Sequence, residues 1–542
     1  MNATFKVPTP SNEPVKSYAP KSPEKLSLKE ELQRQRKNPI EITPVINGKK
    51  IESRETHNVT SPHNKSLILA KCHEASRDDI LQAANSATKN QREWAAMPWA
   101  SRAAVFLKAA DLIATKYRDR LNAATMLGQS KTVYQAEIDS ACEIIDFLRF
   151  NVAFMEQIYA EQPISSPGVW NRLVARGLEG FVFAVTPFNF TAIGLNLPTA
   201  PAMMGCSVIW KPATTAALSA HVGLEILHEA GLPPGVIQFI PGDARMISET
   251  LLSHRDFSGL HFTGSTGTFD HLWQQIAGNL SKYKNYPRIC GETGGKDFVF
   301  LHPSADVETA SVALVRGSFE YQGQKCSAAS RAYVPKSLWP QVKERLVDQI
   351  KTIKMGDVED FTNFMGAVID KKAYDRIKGY IDRARSSSDA KILIGGKCDE
   401  SVGYFIEPTV IEASKPDYES MREEIFGPVL SIFVYDDQKL DEAIALCEGG
   451  SDYALTGAIF ARDRRVIEDL SNRFENAAGN FYINDKPTGA VVGQQPFGGG
   501  RKSGTNDKAG SVYNLMRWVS HRTIKETFVA PTQYGYPFMG EK

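Results

Sequence analysis

The chain has no surplus of charge of either sign. Its 542 residues carry 63 Lys and Arg against 62 Asp and Glu, a formal net charge of +1. Proteins that work by holding nucleic acid or an anionic membrane show a basic excess, so this balance argues against both. Cysteine is scarce. The seven, at 72, 142, 206, 290, 326, 398 and 447, are too few and scattered for a disulfide framework. With no C-x-x-C pair, a zinc ribbon has no start. The expectation is a reducing compartment in which most thiols are small buried hydrophobes.

Other signals are missing as well. The stretch from Phe181 to Trp210 holds no charged residue, but Pro187, Asn189, Asn196, Pro198 and Pro201 interrupt it. A spanning helix needs about 20 apolar residues, so a buried strand–turn–helix–strand is expected instead. Met1 to Lys25 contains five prolines and no apolar core. It reads as a flexible Pro-rich lead-in, without the composition of a secretory signal or transit peptide. No G-x-G-x-x-G turn is present, so any dinucleotide is held without the usual Rossmann fingerprint.

What is present is a core-forming chain, 42% hydrophobic and 10% aromatic, long enough for two large domains or three smaller ones. From Ser76 to about Gln162 apolar residues recur at helical spacing, as in Ile80, Ala83, Ala84 and Ala87. From Gly180 short buried strands (181–185, 207–210, 236–240, 259–262, 288–290) alternate with helical segments, the signature of a parallel sheet covered on both faces. A second alternating series runs from Asp297 to about Asn484, with strands expected at 298–301, 332–334, 429–434, 457–460 and 479–482. The expected division is a lead-in (1–40), a first α/β domain (41–165 and 181–296), a second (297–497), and an arm with a tail (166–180 and 498–542). The aromatic end, Tyr534 to Phe538, reads as a piece that packs on something else.

Four local patterns could carry chemistry, and each has two readings. Phe262-Thr-Gly-Ser-Thr-Gly267 is a strand, a small polar turn and a helix start, suited to a pyrophosphate or simply to capping the helix. Cys326 stands among small polar neighbours beside Lys325, where a cation would lower a thiol pKa, or it is an inert buried residue. Glu292, flanked by glycines past a buried strand, is either a general base with a raised pKa or an exposed loop carboxylate. Asn189 either caps the following helix or aims its amide at a developing oxyanion.

Taken together and in order, six motifs resemble the aldehyde dehydrogenase superfamily. They are Thr186-Pro-Phe-Asn-Phe190, Trp210-Lys-Pro-Ala213, Phe262-Thr-Gly-Ser-Thr-Gly267, Gly291-Glu-Thr-Gly-Gly-Lys296, Gly323-Gln-Lys-Cys-Ser-Ala328 and Glu423-Glu-Ile-Phe-Gly-Pro428. Finer stretches, Phe319–Cys326, Asn476–Lys486 and Gly493–Gly499, with Asn12–Val15 near the start and Trp518–Thr527 near the end, are similar to the branch acting on L-glutamate γ-semialdehyde, the open form of Δ1-pyrroline-5-carboxylate.

The resemblance implies an α/β fold of two doubly wound domains, one binding NAD and one catalytic, with a small β oligomerisation arm pairing 168–176 with 520–528. It implies Cys326 as nucleophile, Asn189 as oxyanion donor and Glu292 as the base that hydrolyses a thioester. It places Lys211, Gly264, Ser265, Glu424, Phe426 and Phe188 around the cofactor. It places Ser327, Gly489 and Ala490 at the substrate carboxylate, Phe190 and Phe497 along the aliphatic chain, and a Lys325–Glu143 ion pair near the mouth. No metal is implied. Relatives often carry Glu where this chain has Thr214, so NADP is less excluded than usual while NAD is favoured. Relatives often carry Ser at 490, and Ala490 cannot donate a hydroxyl. A homodimer, coupling to proline dehydrogenase and a mitochondrial matrix location follow from the resemblance alone, with the cytoplasm as alternative. The competing expectations are an enzyme for another semialdehyde, a CoA-acylating enzyme, against which Glu292 argues, and a catalytically silent protein on this fold.

Overall fold

The computed structural model describes residues 5–540. The chargeless run folds as its composition demands. Phe181–Val185 (β1) is a buried central strand, and Ser207–Lys211 (β2) lies parallel beside it. Ile237–Phe239 (β3) follows beyond β2. The chain then crosses to the other side of β1 and adds Phe257–Thr263 (β4) and Arg288–Glu292 (β5), so the parallel order is β5-β4-β1-β2-β3. Strand order reverses at β1, which opens a crevice at the carboxyl ends of β1 and β4.

Five residues, 293–297, lead from β5 into a second sheet. Phe298–Leu301 (β6) is its centre. Arg331–Pro335 (β7) lies beside it, followed outward by Val429–Tyr435 (β9) and Thr409–Ala413 (β8); Thr456–Phe460 (β10) and Asn480–Ile483 (β11) lie on the other side. Each sheet is doubly wound. Val169–Gly177 and Val519–Thr527 form a separate antiparallel pair over nine residues, Arg176 opposite Ser520 and Val169 opposite Thr527.

Between β1 and β2 runs the helix Thr191–Met203 (α1), which tolerates two internal prolines. Pro201 cannot donate to the Leu197 carbonyl. His261 on β4 takes over that carbonyl, its Nδ1 2.9 Å from Leu197 O. Thr199 Oγ1 returns to Leu195 O at 2.8 Å. Among the described residues no helix is long and apolar enough to cross a membrane.

The lead-in differs from expectation. It is packed and partly helical. Ser22 caps Pro23–Lys37, with Pro at the helix start where a missing N–H costs nothing, and Leu28 and Leu32 are fully buried. Upstream, residues 7–18 are tied to the first domain by side chains far along the chain, a kind of contact that local composition cannot display. The region expected to be helical holds four long helices, and a π-helical turn, Glu137–Glu143, opens the last of them. A small hairpin, Thr56–Ser61 against Asn64–His73, was not legible in the sequence.

His261 generates a stability prediction. Burial drives its pKa from 6.5 down to about 4, so the folded ring stays neutral where the unfolded ring takes a proton. Its contribution is complete above about 6.5 and is lost as pH falls towards 4. A pH series of thermal midpoints checks this: His261→Phe should lower the midpoint at pH 7 and weaken its decline between pH 6.5 and 4.

Candidate active site

The nucleophile loop is held in an unusual backbone. After the helix Val307–Phe319, Tyr321, Gln322 and Gly323 all adopt positive φ (51°, 55° and 66°). Such residues persist only where surroundings over-determine them. The Gln322 amide donates to Ser130 O and Ala367 O at 3.0 and 2.8 Å and accepts from Gly366 N. Gln324 Oε1 accepts from Ile369 N at 2.9 Å. A Cβ at Gly323 would sit 2.3 Å from Gly427 O, so only glycine fits there. Cys326 follows in the turn, half-buried, before β7.

Two expectations about this loop are overturned. Lys325 is buried and its ammonium pairs with Glu320 Oε2 at 3.1 Å, not with Glu143. Nor does a cation depress the thiol. Burial pushes the Cys326 pKa well above its ordinary value, and the fields of Asp297, Glu292 and Glu424 push the same way. Adjacency in sequence put Lys325 beside Cys326, but the Lys325 ammonium is engaged by Glu320 and is not among the groups that shift the thiol.

Asn189 lies 4% exposed in the turn after β1, and its Nδ2 donates to Gln324 O at 3.1 Å. It does not cap α1. That role belongs to Asp139, whose carboxylate accepts Thr191 N at 3.0 Å and Ala192 N at 2.8 Å and pairs with Lys131 Nζ at 2.6 Å. Lys131 in turn lies over the rings of Phe190 (3.9 Å) and Tyr321 (4.6 Å). With one amide hydrogen on Gln324 O, Asn189 keeps a second to offer an oxyanion.

Glu292 ends β5. Its Oε2 is buried without a partner among the described residues. Oε1 lies against the Cα of Gly498, where a Cβ would come within 3.0 Å. Burial raises its pKa well above the carboxylate range, Asp507 adds to the rise and Lys508 opposes it. A buried carboxyl of this kind is a good proton acceptor once it ionises.

A cavity of about 410 Å³ joins Cys326 and Glu292. Cys326, Glu292, Ser327, Phe190, Phe497, Gly489, Ala490, Lys325 and Glu143 all face it, so every residue expected at the substrate is brought together. Glu143 is there as a neutral acid: burial, then the Asp139 charge, lifts its pKa to about 8. Ser327 Oγ lies 2.8 Å from Thr488 Oγ1, and Lys486 Nζ donates to Thr488 O at 3.1 Å. Thr488 and Lys486 were not singled out in the sequence, yet both line the cavity beside Gly489 and Ala490. Lys486 closes the Asn476–Lys486 stretch, but nothing in that stretch or in the following Pro–Thr marks either residue as facing a cavity. The lining also includes Asn12, Glu13 and Val15 of the lead-in.

The residues expected at a dinucleotide lie outside this cavity. Lys211 ends β2, 8% exposed, its pKa lowered by burial against the fields of Asp243 and Glu74. Gly264 follows β4, and a Cβ there would strike the Phe262 ring at 2.7 Å. Ser265 caps Thr266–Gly278, its Oγ 3.4 Å from Thr268 N, and nothing lies within 4 Å of a Cβ built at Gly267. This helix start at the strand-order crevice is open to an anion. Glu424 Oε1 accepts Gly295 N at 2.9 Å. Phe426, at φ 54°, meets Phe188 edge-on with ring centroids 5.8 Å apart. The neighbouring Lys296 ammonium is buried without a partner among the described residues, and burial lowers its pKa to about 7. Cationic and N–H donors at one end and a carboxylate with two rings at the other fit a dinucleotide.

The arrangement defines an aldehyde-oxidising class of enzyme, and comparison agrees: the chain belongs to the aldehyde dehydrogenase family, whose profile matches residues 50–524. It is 55% identical to the mitochondrial Delta-1-pyrroline-5-carboxylate dehydrogenase of Dictyostelium discoideum, over 99% of this chain and 97% of that one. The solved Delta-pyrroline-5-carboxylate dehydrogenase from Mycobacterium tuberculosis bound with NAD is 50% identical, with a TM-score of 0.96 over 100% of both chains. Proline utilization A from Bdellovibrio bacteriovorus is 30% identical with a TM-score of 0.91. There the match spans 98% of this chain and 55% of the other.

The electrostatics give two expected outcomes. Because Glu292 and Cys326 both ionise late, kcat/KM should rise with pH through and beyond neutrality; an acid limb near 4.5, where a solvated Glu titrates, would contradict the burial argument. Asn189→Ala should lower kcat by about 100 to 1,000-fold with little change in fold, measured by steady-state kinetics beside circular dichroism.

Proposed function

We propose that this chain oxidises L-glutamate γ-semialdehyde to L-glutamate with NAD, the second step of proline degradation. The observation that carries the reading is the single cavity in which Cys326 and Glu292 share walls with Ser327, Gly489 and Ala490.

The chemistry follows from the groups. Cys326 must first lose its proton, since burial and three carboxylates hold it as the thiol. Glu292, close enough to raise that pKa, is the acceptor at hand. Cys326 Sγ then adds to the aldehyde carbon, forming a thiohemiacetal whose oxyanion takes the second Asn189 N–H and the Cys326 backbone N–H. Nicotinamide, when bound, supplies the hydride acceptor. Glu292 passes the thiol proton on to solvent; the thioester left on Cys326 is then hydrolysed by water whose proton goes to the freed Glu292 carboxylate, and Cys326 leaves as thiolate.

Substrate and cofactor choice rest on charge. A carboxylate at the Gly489 end meets backbone N–H groups, Ser327 Oγ and the Lys486 ammonium, which compensates for the missing hydroxyl at Ala490. Thr214 is exposed and offers no carboxylate against a 2′-phosphate. Asp243 and Glu74 nevertheless place negative field on Lys211, which favours NAD.

Exposed Trp170, Val174 and Phe528 on and beside the two-stranded arm support a homodimer through that arm. The name of the Dictyostelium relative supports the mitochondrial matrix. The match to half of a longer proline-utilisation protein supports delivery of the substrate by a proline-oxidising partner.

The test is NADH absorbance with pyrroline-5-carboxylate and purified protein. The reading expects turnover that vanishes in Cys326→Ser, and slower turnover with NADP. Turnover of plain aldehydes but not of pyrroline-5-carboxylate would keep the family and discard the substrate.

A further inference from the structure

The lead-in does more than pack. Its residues 12 to 15 reach the substrate cavity, and an unusually dense set of bonds fixes them there. Asn12 Nδ2 donates to both Asp146 Oδ2 and Val492 O, each at 2.8 Å, and Asn12 Oδ1 accepts Gln494 Nε2 at 2.9 Å. The Glu13 N–H donates to Asp146 Oδ1 at 2.7 Å. The Glu13 carboxylate is clamped by Arg118 Nη1 at 2.6 Å and Arg149 Nη1 at 2.8 Å, and Arg118 Nη2 also takes Pro14 O at 3.0 Å. Further on, Lys16 N and the Tyr18 hydroxyl both donate to the buried Glu137, each at 2.8 Å. Asn12, Glu13 and Val15 thereby share one cavity with Cys326.

We propose that residues 12–15 form the outer wall of the substrate cavity and set which molecules reach Cys326 from that side, with Asp146 as the positioning residue that holds the wall closed. This deepens the reading of the cavity as the aldehyde's own. The physical reason is the anchoring itself. A proline-rich segment has no ladder of backbone bonds to keep it in place, so a specific shape needs side-chain partners. Here those partners come from Asp146 and the arginines on one side and the 492–494 turn on the other. The wall therefore bridges the helical part of the first domain and the loop that carries Gly489 and Ala490. It is a size filter made of a segment distant in sequence from every catalytic group.

Alkylation of Cys326 tests access without assuming a substrate. The full chain, with NAD present on the cofactor side, is treated with N-ethylmaleimide and with the bulkier N-(1-pyrenyl)maleimide. Rates on the Cys326 peptide are read by mass spectrometry. Asn12→Ala should raise the ratio of bulky to small reagent by about tenfold, and Val15→Trp should lower it by a similar factor. A general loss of stability would move both reagents together and could not move the two variants in opposite directions. In parallel, the KM for pyrroline-5-carboxylate should rise in Asn12→Ala. A reagent ratio within twofold of wild type in both variants would overturn the wall. Failure of wild type to oxidise pyrroline-5-carboxylate would instead count against the substrate reading, and the alkylation ratio would still decide the wall.

Discussion

The Lys131–Asp139 pair organises the catalytic centre. Both side chains are buried, 2.6 Å apart, in a place where neither charge could stand alone. Breaking such a pair by removing one partner costs about 3–5 kcal/mol, because it strands the other charge. The pair does not simply stabilise. Asp139 caps α1 through Thr191 and Ala192, which fixes the turn that carries Asn189 and Phe190. Lys131 lies over Phe190 and over Tyr321, one of the left-handed residues that shape the nucleophile loop. One ion pair thus couples the oxyanion donor in the first domain to the nucleophile loop in the second.

Around that frame the site collects charge in a low-dielectric interior. Glu292, Asp297 and Glu424 crowd Cys326 and keep its proton on. Each of the three has its own pKa raised, with burial as the largest cause. Burial thus makes the thiol and these three carboxyls harder to ionise than they are in water. Two lysines lie near these carboxyls, Lys508 by Glu292 and Lys296 by Glu424, each with its own pKa lowered by burial. A bound cationic nicotinamide would add positive charge beside these carboxylates, the direction needed to favour a thiolate. The chemistry then depends on what is bound, which suits a centre that must not react with stray electrophiles.

How much of this the sequence displayed depended on distance along the chain. The strands β1, β2, β4 and β6 were legible because each is a short apolar run between turn residues, and β1 and β6 occupy the residues expected, 181–185 and 298–301. Cys326, Glu292 and Asn189 stood out through ordered motifs, and the cavity brings the first two together with Asn189 bonded behind the loop. Pairings set by tertiary geometry were not legible. Lys325 prefers Glu320, five residues away, because the positive-φ turn carries it inward. Asp139 caps a helix that starts 52 residues later, and nothing near position 139 says so. Asn12 and Glu13 find Asp146 across more than 130 residues, so a segment that composition described as loose is held firmly.

The central claim is that Cys326 carries the acyl group and Glu292 releases it. Glu292→Gln protein mixed with pyrroline-5-carboxylate and NAD, quenched in acid and digested, should show the Cys326 peptide bearing a glutamyl thioester by mass spectrometry. The other six cysteines should be unmodified. An adduct on a different cysteine, or a Glu292→Gln enzyme that turns over at the wild-type rate with no adduct at all, would contradict the account.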